Sequence, residues 1–332
     1  MKTYAFELSG EHESLPRCEA LALVEAFSTR FSEVEFLEQC LIVEAEGLDV
    51  GVLGRRLAMT HRIIEVLAVC PADLEALAEA ASCLQLPTKK YLVRARRIRD
   101  AAPPADAVEH EVGRILFRRG YRADLSHPEL LLRAIITSGR IVLGIELART
   151  DRSSFEARRP HLKPFFHPGV LMPRMARALV NLTQVRAGEF LLDPFAGTCG
   201  ILIEACLIGV NGVGIEVQPR LVKGALCNLQ GLDCGLLLGD AKRLPLKESS
   251  IDAAVLDTPY GRSAKIMAAS KELLLKESLG ELYRVIRPGR RMAIVADRSI
   301  EEMIEEVGFV LLQKHTDRVH RSLTRQIFIC GR

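Results

Sequence analysis

The chain has 332 residues, of which 48% are apolar, and its 45 Lys and Arg residues against 42 Asp and Glu give a formal net charge of +3. This length predicts roughly two or three domains, with cores large enough to fold without disulfide or metal staples. No stretch reaches the roughly 18 consecutive apolar residues that a bilayer span needs, and the first residues lack the pattern of a signal peptide. We therefore expect neither membrane association nor export.

The nine cysteines are scattered along the chain, and no two of them form a Cys-x-x-Cys pair. This pattern argues against a zinc knuckle or a disulfide framework. It is typical of the reducing cytoplasm, where thiols serve as small apolar side chains. We therefore predict a cytoplasmic protein without a metal site.

The small net charge conceals an uneven distribution. Residues 1–83 carry 6 basic and 15 acidic side chains, residues 84–174 carry 18 and 9, and residues 175–332 carry 21 and 18. The three regions therefore have net charges of −9, +9 and +3. A basic middle region indicates a segment that binds a polyanion.

The first half of the chain reads as small α and β elements. The periodicity of apolar residues predicts strands over 4–8 and 40–45, a helix over 16–29, a strand or helix edge over 53–69 and a helix over 73–84. A basic strand over 88–99, a helix over 107–119 and strands over 130–139 and 140–148 follow. Antiparallel strands that carry a helix with a basic surface would suit a small RNA-binding module.

Residues 151–167 show little periodicity, and we predict that they form a linker. Beyond them strands and helices alternate, which predicts a mostly parallel sheet. Helices are predicted over 172–182, 201–208 and 220–229, strands over 190–192, 212–216, 234–238, 251–256 and 291–296, and a closing hairpin over 309–314 and 326–330.

Polar motifs follow four of these strands, and in an open parallel sheet ligands bind beyond the carboxyl ends of the strands. The first motif is DPFAGTCG at 193–200. It departs from the dinucleotide fingerprint G-x-G-x-x-G because it begins with an acid and has only Gly197 and Gly200. A pyrophosphate would disfavour that carboxylate, whereas the ammonium group of an amino acid could use it.

The next two motifs complete a recognisable ligand. Glu216 ends the second strand of this region, where a carboxylate can accept both hydroxyls of a ribose. Asp240 ends the third, where a carboxylate can accept the amine of an adenine. An amino acid, a ribose and an adenine in this order describe S-adenosylmethionine. The alternative is that each acid merely caps the helix that follows it.

The fourth motif, Asp257-Thr258-Pro259-Tyr260, resembles the Asp/Asn-Pro-Pro-Tyr/Phe signature of methyltransferases that act on exocyclic amines. Such an amine is a poor nucleophile because its lone pair is delocalised into the base. The Asp carboxylate and the next backbone carbonyl can accept its two N–H groups and aim the lone pair, while the aromatic ring stacks on the base. Pro259 would stiffen the loop, whereas Thr258 replaces a proline and gives up rigidity.

Together with the segments RRPHLKPFFHPGVLMPRMARALVNL, GIEVQP and VHRSLTRQIF, these motifs resemble the THUMP-domain tRNA guanine-N2 methyltransferases, particularly the archaeal-type enzymes that modify guanine 10. The resemblance covers residues 88–332 and, more loosely, the first part of the chain. It implies a ferredoxin-like domain over 1–55, a THUMP domain over 56–150 that grips tRNA, and a Rossmann-like methyltransferase domain with a seven-stranded, mostly parallel sheet over 168–332. It also implies S-adenosylmethionine as cofactor, one or two methyl transfers to N2, and a small zinc-binding activator subunit with which relatives often work.

By motif position, the resemblance assigns roles to individual residues. Asp257 would hold the target amine and Tyr260 would stack on the base, with Thr258 and Pro259 shaping the turn. Where the family usually has a third glycine, this chain has Cys199, for which we predict no nucleophilic role. The cofactor would be held by His167, Asp193, Phe195, Ala196, Gly197, Thr198, Glu216, Asp240 and Ala241. His167 could equally be a packed or capping histidine.

The basic middle region fits the tRNA partner. Phosphate contacts from Lys and Arg give affinity without reading sequence. The predicted contacts are Lys89, Lys90, Arg94, Arg96, Arg97 and Arg99, followed by Arg158 and Arg159. The simpler alternative is that this run of charge is only a solvated face.

Other functions remain open at this point. Thr258 and Cys199 would also suit a catalytically weak tRNA-binding protein that keeps the methyltransferase fold. The same amine motif could serve rRNA guanine, DNA adenine or a protein glutamine, and the basic module argues against the protein. A nicotinamide oxidoreductase is disfavoured because the first turn lacks the pyrophosphate glycines.

Overall fold

A computed structural model describes residues 1–259, 268–320 and 323–332. The chain divides into two compact units, Met1–Thr150 and Asp151–Arg332. No helix in the described parts is long and apolar enough to cross a membrane.

The first unit is built on one seven-stranded sheet with the strand order β2-β3-β1-β4-β7-β6-β5. All neighbouring strands are antiparallel except β5 and β6, which are parallel. Its elements are β1 (Lys2–Leu8), α1 (Leu15–Phe27), β2 (Arg30–Leu37), β3 (Cys40–Glu46), α2 (Val50–Arg56), β4 (Thr60–Pro71), α3 (Leu74–Cys83), β5 (Tyr91–Arg97), α4 (Ala105–Arg118), β6 (Leu130–Thr137) and β7 (Arg140–Arg149).

The order β1-α1-β2-β3-α2-β4, with the four strands arranged as β2-β3-β1-β4, is the ferredoxin-like pattern that we predicted. This pattern ends with β4 at Pro71 rather than at residue 55. Because β4 pairs with β1 on one side and with β7 on the other, the predicted boundary at 55 does not separate two sheets. The assignment of the later elements to a THUMP domain stays a prediction.

A buried carboxylate with three arginine partners lies inside this unit. Glu7 of β1 accepts hydrogen bonds from Arg133 of β6 at 2.7 and 3.0 Å, from Arg96 of β5 at 2.7 Å and from Arg62 of β4 at 3.3 Å. The Arg133 side chain is itself only 7% exposed. Glu7 therefore joins the ferredoxin-like part of the sheet to the strands that follow it.

The second unit has a seven-stranded sheet with the order β10-β9-β8-β11-β12-β14-β13. Strands β8 to β12 are parallel, and β14 runs antiparallel to both β12 and β13. Its elements are α5 (Arg152–Ala157), a 3-10 turn (Pro160–Leu162), α6 (Pro173–Leu182), β8 (Phe190–Asp193), α7 (Gly200–Cys206), β9 (Asn211–Glu216), α8 (Pro219–Asn228), β10 (Cys234–Leu238), β11 (Ile251–Asp257), α9 (Ala268–Val285), β12 (Ile286–Ala296), α10 (Glu301–Val307), β13 (Val310–His320) and β14 (Leu323–Gly331).

The predicted mostly parallel sheet and its closing hairpin are confirmed. The predicted linker differs, because residues 151–163 form α5 and a 3-10 turn that belong to the second unit. Asp151 caps α5 by accepting the N–H groups of Ser153 and Ser154, and Phe155 is buried. Besides α5 and the 3-10 turn, we made no prediction for β2, α9 and α10, and α2 was not separated from β4.

A disulfide links Cys206 at the end of α7 to Cys234 at the start of β10, with their Cα atoms 6.6 Å apart. This pairing differs from our expectation that the thiols serve only as apolar side chains. Gly212 on β9 makes room for it, since a methyl group there would lie 3.0 and 3.4 Å from the two sulfur atoms. Two cysteines 28 residues apart without a motif gave no signal of this contact.

Candidate cofactor and amine site

The turn that follows β8 begins at Asp193 and ends at the start of α7. The Ala196 N–H donates to the carbonyl of Ile215 at 3.0 Å, and the Gly197 N–H donates to the Glu216 carboxylate at 3.0 Å. Neighbouring strands β8 and β9 therefore hold the turn in one conformation. Because β8 lies between β9 and β11, this turn stands where the strand order reverses, which is where such sheets bind ligands.

Cys199 occupies the position where we noted a missing glycine. Its φ of +63° lies in the left-handed region that favours glycine, which explains why a glycine suits this position. The thiol is fully buried, and burial raises its pKa well above the usual value. A nucleophilic thiolate is therefore disfavoured, as we predicted.

Asp193 is buried at the carboxyl end of β8 and accepts the N–H of Phe195 at 3.1 Å. Burial raises the pKa of Asp193 to about 8; the Phe195 N–H opposes this shift, whereas the charges of Asp257 and Glu216 add to it. Strands β8 and β11 are parallel neighbours, with Leu192 opposite Ala254, so Asp193 and Asp257 lie at the same carboxyl edge of the sheet, where the two strands end. A cation placed here would stabilise the ionised form of Asp193.

Glu216 is the last residue of β9, and Asp240 lies just beyond the end of β10. Glu216 accepts the N–H groups of Gly197 and Gln218, so its carboxylate is fixed in place. Asp240 is partly exposed and accepts the Lys242 N–H at 2.9 Å, and Ala241 beside it is buried. The N-caps of α7 and α8 are Cys199 and Gln218, so neither Asp193 nor Glu216 merely caps a helix.

The Asp257-Thr258-Pro259 turn follows β11, and Tyr260 lies outside the described residues. The backbone N–H and the hydroxyl of Thr258 both donate to the carbonyl of Val295, each at 2.9 Å. These two bonds tie the turn to β12 and restrict it, although Thr258 lacks the ring of a proline. A small cavity of about 20 Å³ beside the turn is lined by Phe195, Thr258, Pro259, Lys271, Leu274, Leu275, Ala296, Asp297, Arg298 and Ile300.

Three residues that we expected to bind ligands have other contacts. The exposed His167 has its Nδ1 atom 2.9 Å from the carbonyl of Pro168, and no contact with the cofactor turn is observed among the described residues. Arg158 donates to the buried Glu204 at 2.7 and 3.1 Å. Arg159 pairs with Glu156 on α5.

Asn228 on α8 is a site residue that sequence reasoning missed. Its side chain exchanges hydrogen bonds with the backbone of Phe165 and donates to the carbonyl of Thr198 at 3.2 Å. It thus links the segment before α6 to the cofactor turn. An isolated Asn in an amphipathic helix carries no signal of this role.

The basic strand β5 and its flanks divide into paired and unpaired side chains. Lys90 pairs with Asp124, Arg94 with Glu109, Arg96 with Glu7 and Arg99 with Glu38. Lys89 and Arg97 are exposed, and neither forms an ion pair with any residue in the described ranges. Arg96 departs most clearly from the predicted contact with phosphate, because its guanidinium donates a hydrogen bond to the buried Glu7.

A protein of Methanothermobacter thermautotrophicus named tRNA (guanine(10)-N2)-dimethyltransferase is 35% identical to this chain over 332 residues, which cover 98% of each sequence. The enzyme of the same name from Methanocaldococcus jannaschii is 30% identical and also covers 98% of each. The chain belongs to this family of methyltransferases. The family model described as RMKL-like, methyltransferase domain matches residues 160–327. The solved structure of TrmN from Thermus thermophilus shares the fold, with a TM-score of 0.53, 22% identity and 99% coverage of both chains.

The family uses S-adenosylmethionine, and the residues described above fit it. Asp193 would face the ammonium group, Glu216 the ribose and Asp240 the adenine, which are the roles that we predicted. The burial of Asp193 is the observation that supports this fit, because a carboxylate withdrawn from water is stabilised by a bound cation such as the ammonium group. The cofactor supplies the methyl group, and the turn at Asp257 would orient the amine that receives it.

We expect cofactor affinity to depend on pH through Asp193. Below about pH 8 the free carboxyl group is protonated, and a bound ammonium group favours the carboxylate, so binding releases a proton. The affinity for S-adenosylhomocysteine should therefore rise by up to about tenfold per pH unit between pH 6 and 8. Titration calorimetry in two buffers of different ionisation enthalpy measures both the affinity and the proton release.

Asp193→Asn should bind more weakly and lose most of this pH slope. Asp240→Asn, which changes the carboxylate at the adenine end, is the matched control and should keep the slope. Equal slopes in the native protein and in Asp193→Asn would contradict the assignment of Asp193.

Proposed function

We propose that this chain transfers methyl groups from S-adenosylmethionine to the exocyclic N2 of guanosine 10 in tRNA, once or twice. The observation that carries the proposal is the position of Asp257, which ends β11 next to β8 and the buried Asp193 of the cofactor turn. An amine held by Asp257 would thus lie next to the methyl donor. The names of the two full-length relatives support both the atom and the position.

The turn around Asp257 suits an amine on an aromatic base. The carboxylate of Asp257 and the carbonyl of Thr258 are the two acceptors, and the bonds from Thr258 to Val295 hold that carbonyl in place. After transfer the methylated nitrogen can lose its proton to Asp257 or to water. The guanine would have to be swung out of the tRNA to reach this turn.

The alternative of a catalytically weak tRNA-binding protein has less support. It rested on Thr258 and Cys199, the two departures from the family pattern. Two hydrogen bonds to Val295 restrict Thr258, and Cys199 adopts the left-handed conformation that favours glycine, so neither residue argues against an active site.

The decisive experiment incubates purified protein with tRNA and labelled S-adenosylmethionine and maps the methylated nucleosides by mass spectrometry. We expect N2-methylguanosine, N2,N2-dimethylguanosine or both at position 10. Methylation at another position, or of adenine, would overturn the proposed specificity. Absence of transfer to any RNA, with intact cofactor binding, would favour the binding protein.

The same assay tests the need for a small zinc-binding activator subunit, which the family resemblance raises. The subunit is unnecessary if adding it does not increase the rate of methyl transfer by the isolated chain. We expect the chain to work in the cytoplasm.

We expect Lys89 and Arg97 to contact tRNA phosphates. The double variant Lys89→Ala/Arg97→Ala should bind tRNA about tenfold more weakly and reduce the slope of log affinity against log salt by about 2. Fluorescence anisotropy at several salt concentrations measures both. Lys2→Ala/Arg30→Ala, which removes the same charge from the same unit outside the basic segment, should behave as the native protein. If both variants bind alike, the basic segment is only a solvated face.

A further inference from the structure

Residues 158–165 are held against the cofactor turn and α8 by side-chain contacts at both ends. Arg158 is bound to Glu204 of α7. At the other end, the backbone of Phe165 exchanges two hydrogen bonds of 2.9 Å with Asn228, which also donates to Thr198. The Phe165 ring packs directly on Gly224 of α8, where a methyl group would lie 2.4 Å from it. The backbone between these anchors is therefore fixed.

Lys163 lies between the two anchors and is directed at the cofactor turn. A methyl group in place of a hydrogen of Gly200 would lie 3.8 Å from the Lys163 ammonium. The side chain is partly buried, and burial lowers its pKa, although the nearby Glu204 opposes the shift. Among the described residues, no hydrogen bond or ion pair to the ammonium is observed. A lysine withdrawn from water without a partner is unusual and suggests an absent anion.

The surrounding charges favour an anion at this end of the turn. Glu204 is the nearby acid, and its carboxylate already accepts from Arg158 and, at 2.9 Å, from Arg177. Three cations thus surround one carboxylate. The beginning of the same turn is acidic, with Asp193 and Glu216. The turn therefore has carboxyl groups at its first end and cationic side chains at its last end, which suits the ammonium and the carboxylate of an α-amino acid.

We propose that Lys163 binds the α-carboxylate of the methionine part of S-adenosylmethionine, while Asp193 faces its ammonium group. The proposal rests on the methyl donor of the family and not on the tRNA substrate.

Two ligands separate this role from a general effect on the site. S-adenosylhomocysteine carries the amino-acid carboxylate, whereas 5′-methylthioadenosine keeps the adenosine and the sulfur but lacks it. By titration calorimetry, Lys163→Met should bind S-adenosylhomocysteine roughly 10- to 100-fold more weakly, the range for a charged hydrogen bond. Its affinity for 5′-methylthioadenosine should be unchanged. Lys163→Arg should recover part of the loss.

Lys247→Met is the matched control. This exposed lysine precedes β11 and so lies near the amino-terminal ends of the parallel strands, away from the cofactor turn at their carboxyl ends. It should bind both ligands as the native chain does, and thermal unfolding should show that both Met variants are folded. If Lys163→Met binds S-adenosylhomocysteine normally, or loses both ligands equally, Lys163 does not hold the carboxylate, although the methyl donor stands. If the native chain binds no S-adenosylhomocysteine, the cofactor assignment fails as well.

Discussion

Asp257→Ala should lower the rate of methyl transfer to tRNA by about 10²- to 10⁴-fold while S-adenosylhomocysteine still binds. The variant removes the carboxylate that accepts an N–H of the target amine, so the lone pair stays in conjugation with the base. Single-turnover transfer of labelled methyl groups measures the chemical step, and calorimetry measures cofactor binding. Normal turnover by Asp257→Ala would exclude the proposed role.

The pH dependence of cofactor binding in Asp257→Ala is a second readout, which reports on the charge of Asp257. Because Asp257 helps to raise the pKa of Asp193, its loss should move the pH dependence of S-adenosylhomocysteine binding to lower pH. Thr258→Val is the comparison variant. It loses the hydroxyl bond to Val295 but keeps the backbone bond and the carbonyl, and we expect less than about a tenfold loss of rate.

The sequence was sufficient to predict the second sheet and the placement of its acids. Asp193 and Glu216 each end a strand, and parallel strands bring their carboxyl ends to one edge, so the periodicity alone placed these side chains together. The strand β2 was missed because its register shifts between Glu33 and Glu35, so that Phe31 and the exposed Val34 and Phe36 do not follow one alternation along the strand.

Side-chain partners were not predictable from the sequence. Arg96 and Lys89 look alike in a basic run, yet the partner of Arg96 lies 89 residues earlier in the chain. Arg158 likewise finds Glu204 across 46 residues. Such pairings depend on tertiary contacts, so a charge pattern can indicate a basic surface but not which of its members remain available to phosphate.

Among these side-chain pairings, the one between Glu7 and its arginines has the largest expected effect on stability. Glu7→Gln should lower the free energy of unfolding of the first unit by about 3 kcal/mol, because Arg133 would lose its buried counter-charge. Arg62 and Arg96 reach water in part and should add less. Thermal unfolding followed by circular dichroism measures the loss, and hydrogen exchange in β1 and β6 assigns it to this unit.

Acid should weaken the same cluster. Burial alone would raise the pKa of Glu7, but the hydrogen bonds and charges of Arg133 and Arg96 hold the pKa below its usual value. The carboxylate therefore stabilises the fold fully above the unfolded-state pKa of about 4.3 and loses this contribution as the pH falls through the lower folded-state value. Glu79→Gln, at an exposed position of α3, is the control and should change stability by less than about 0.5 kcal/mol. Equal effects of the two variants would mean that the three arginines are satisfied without Glu7.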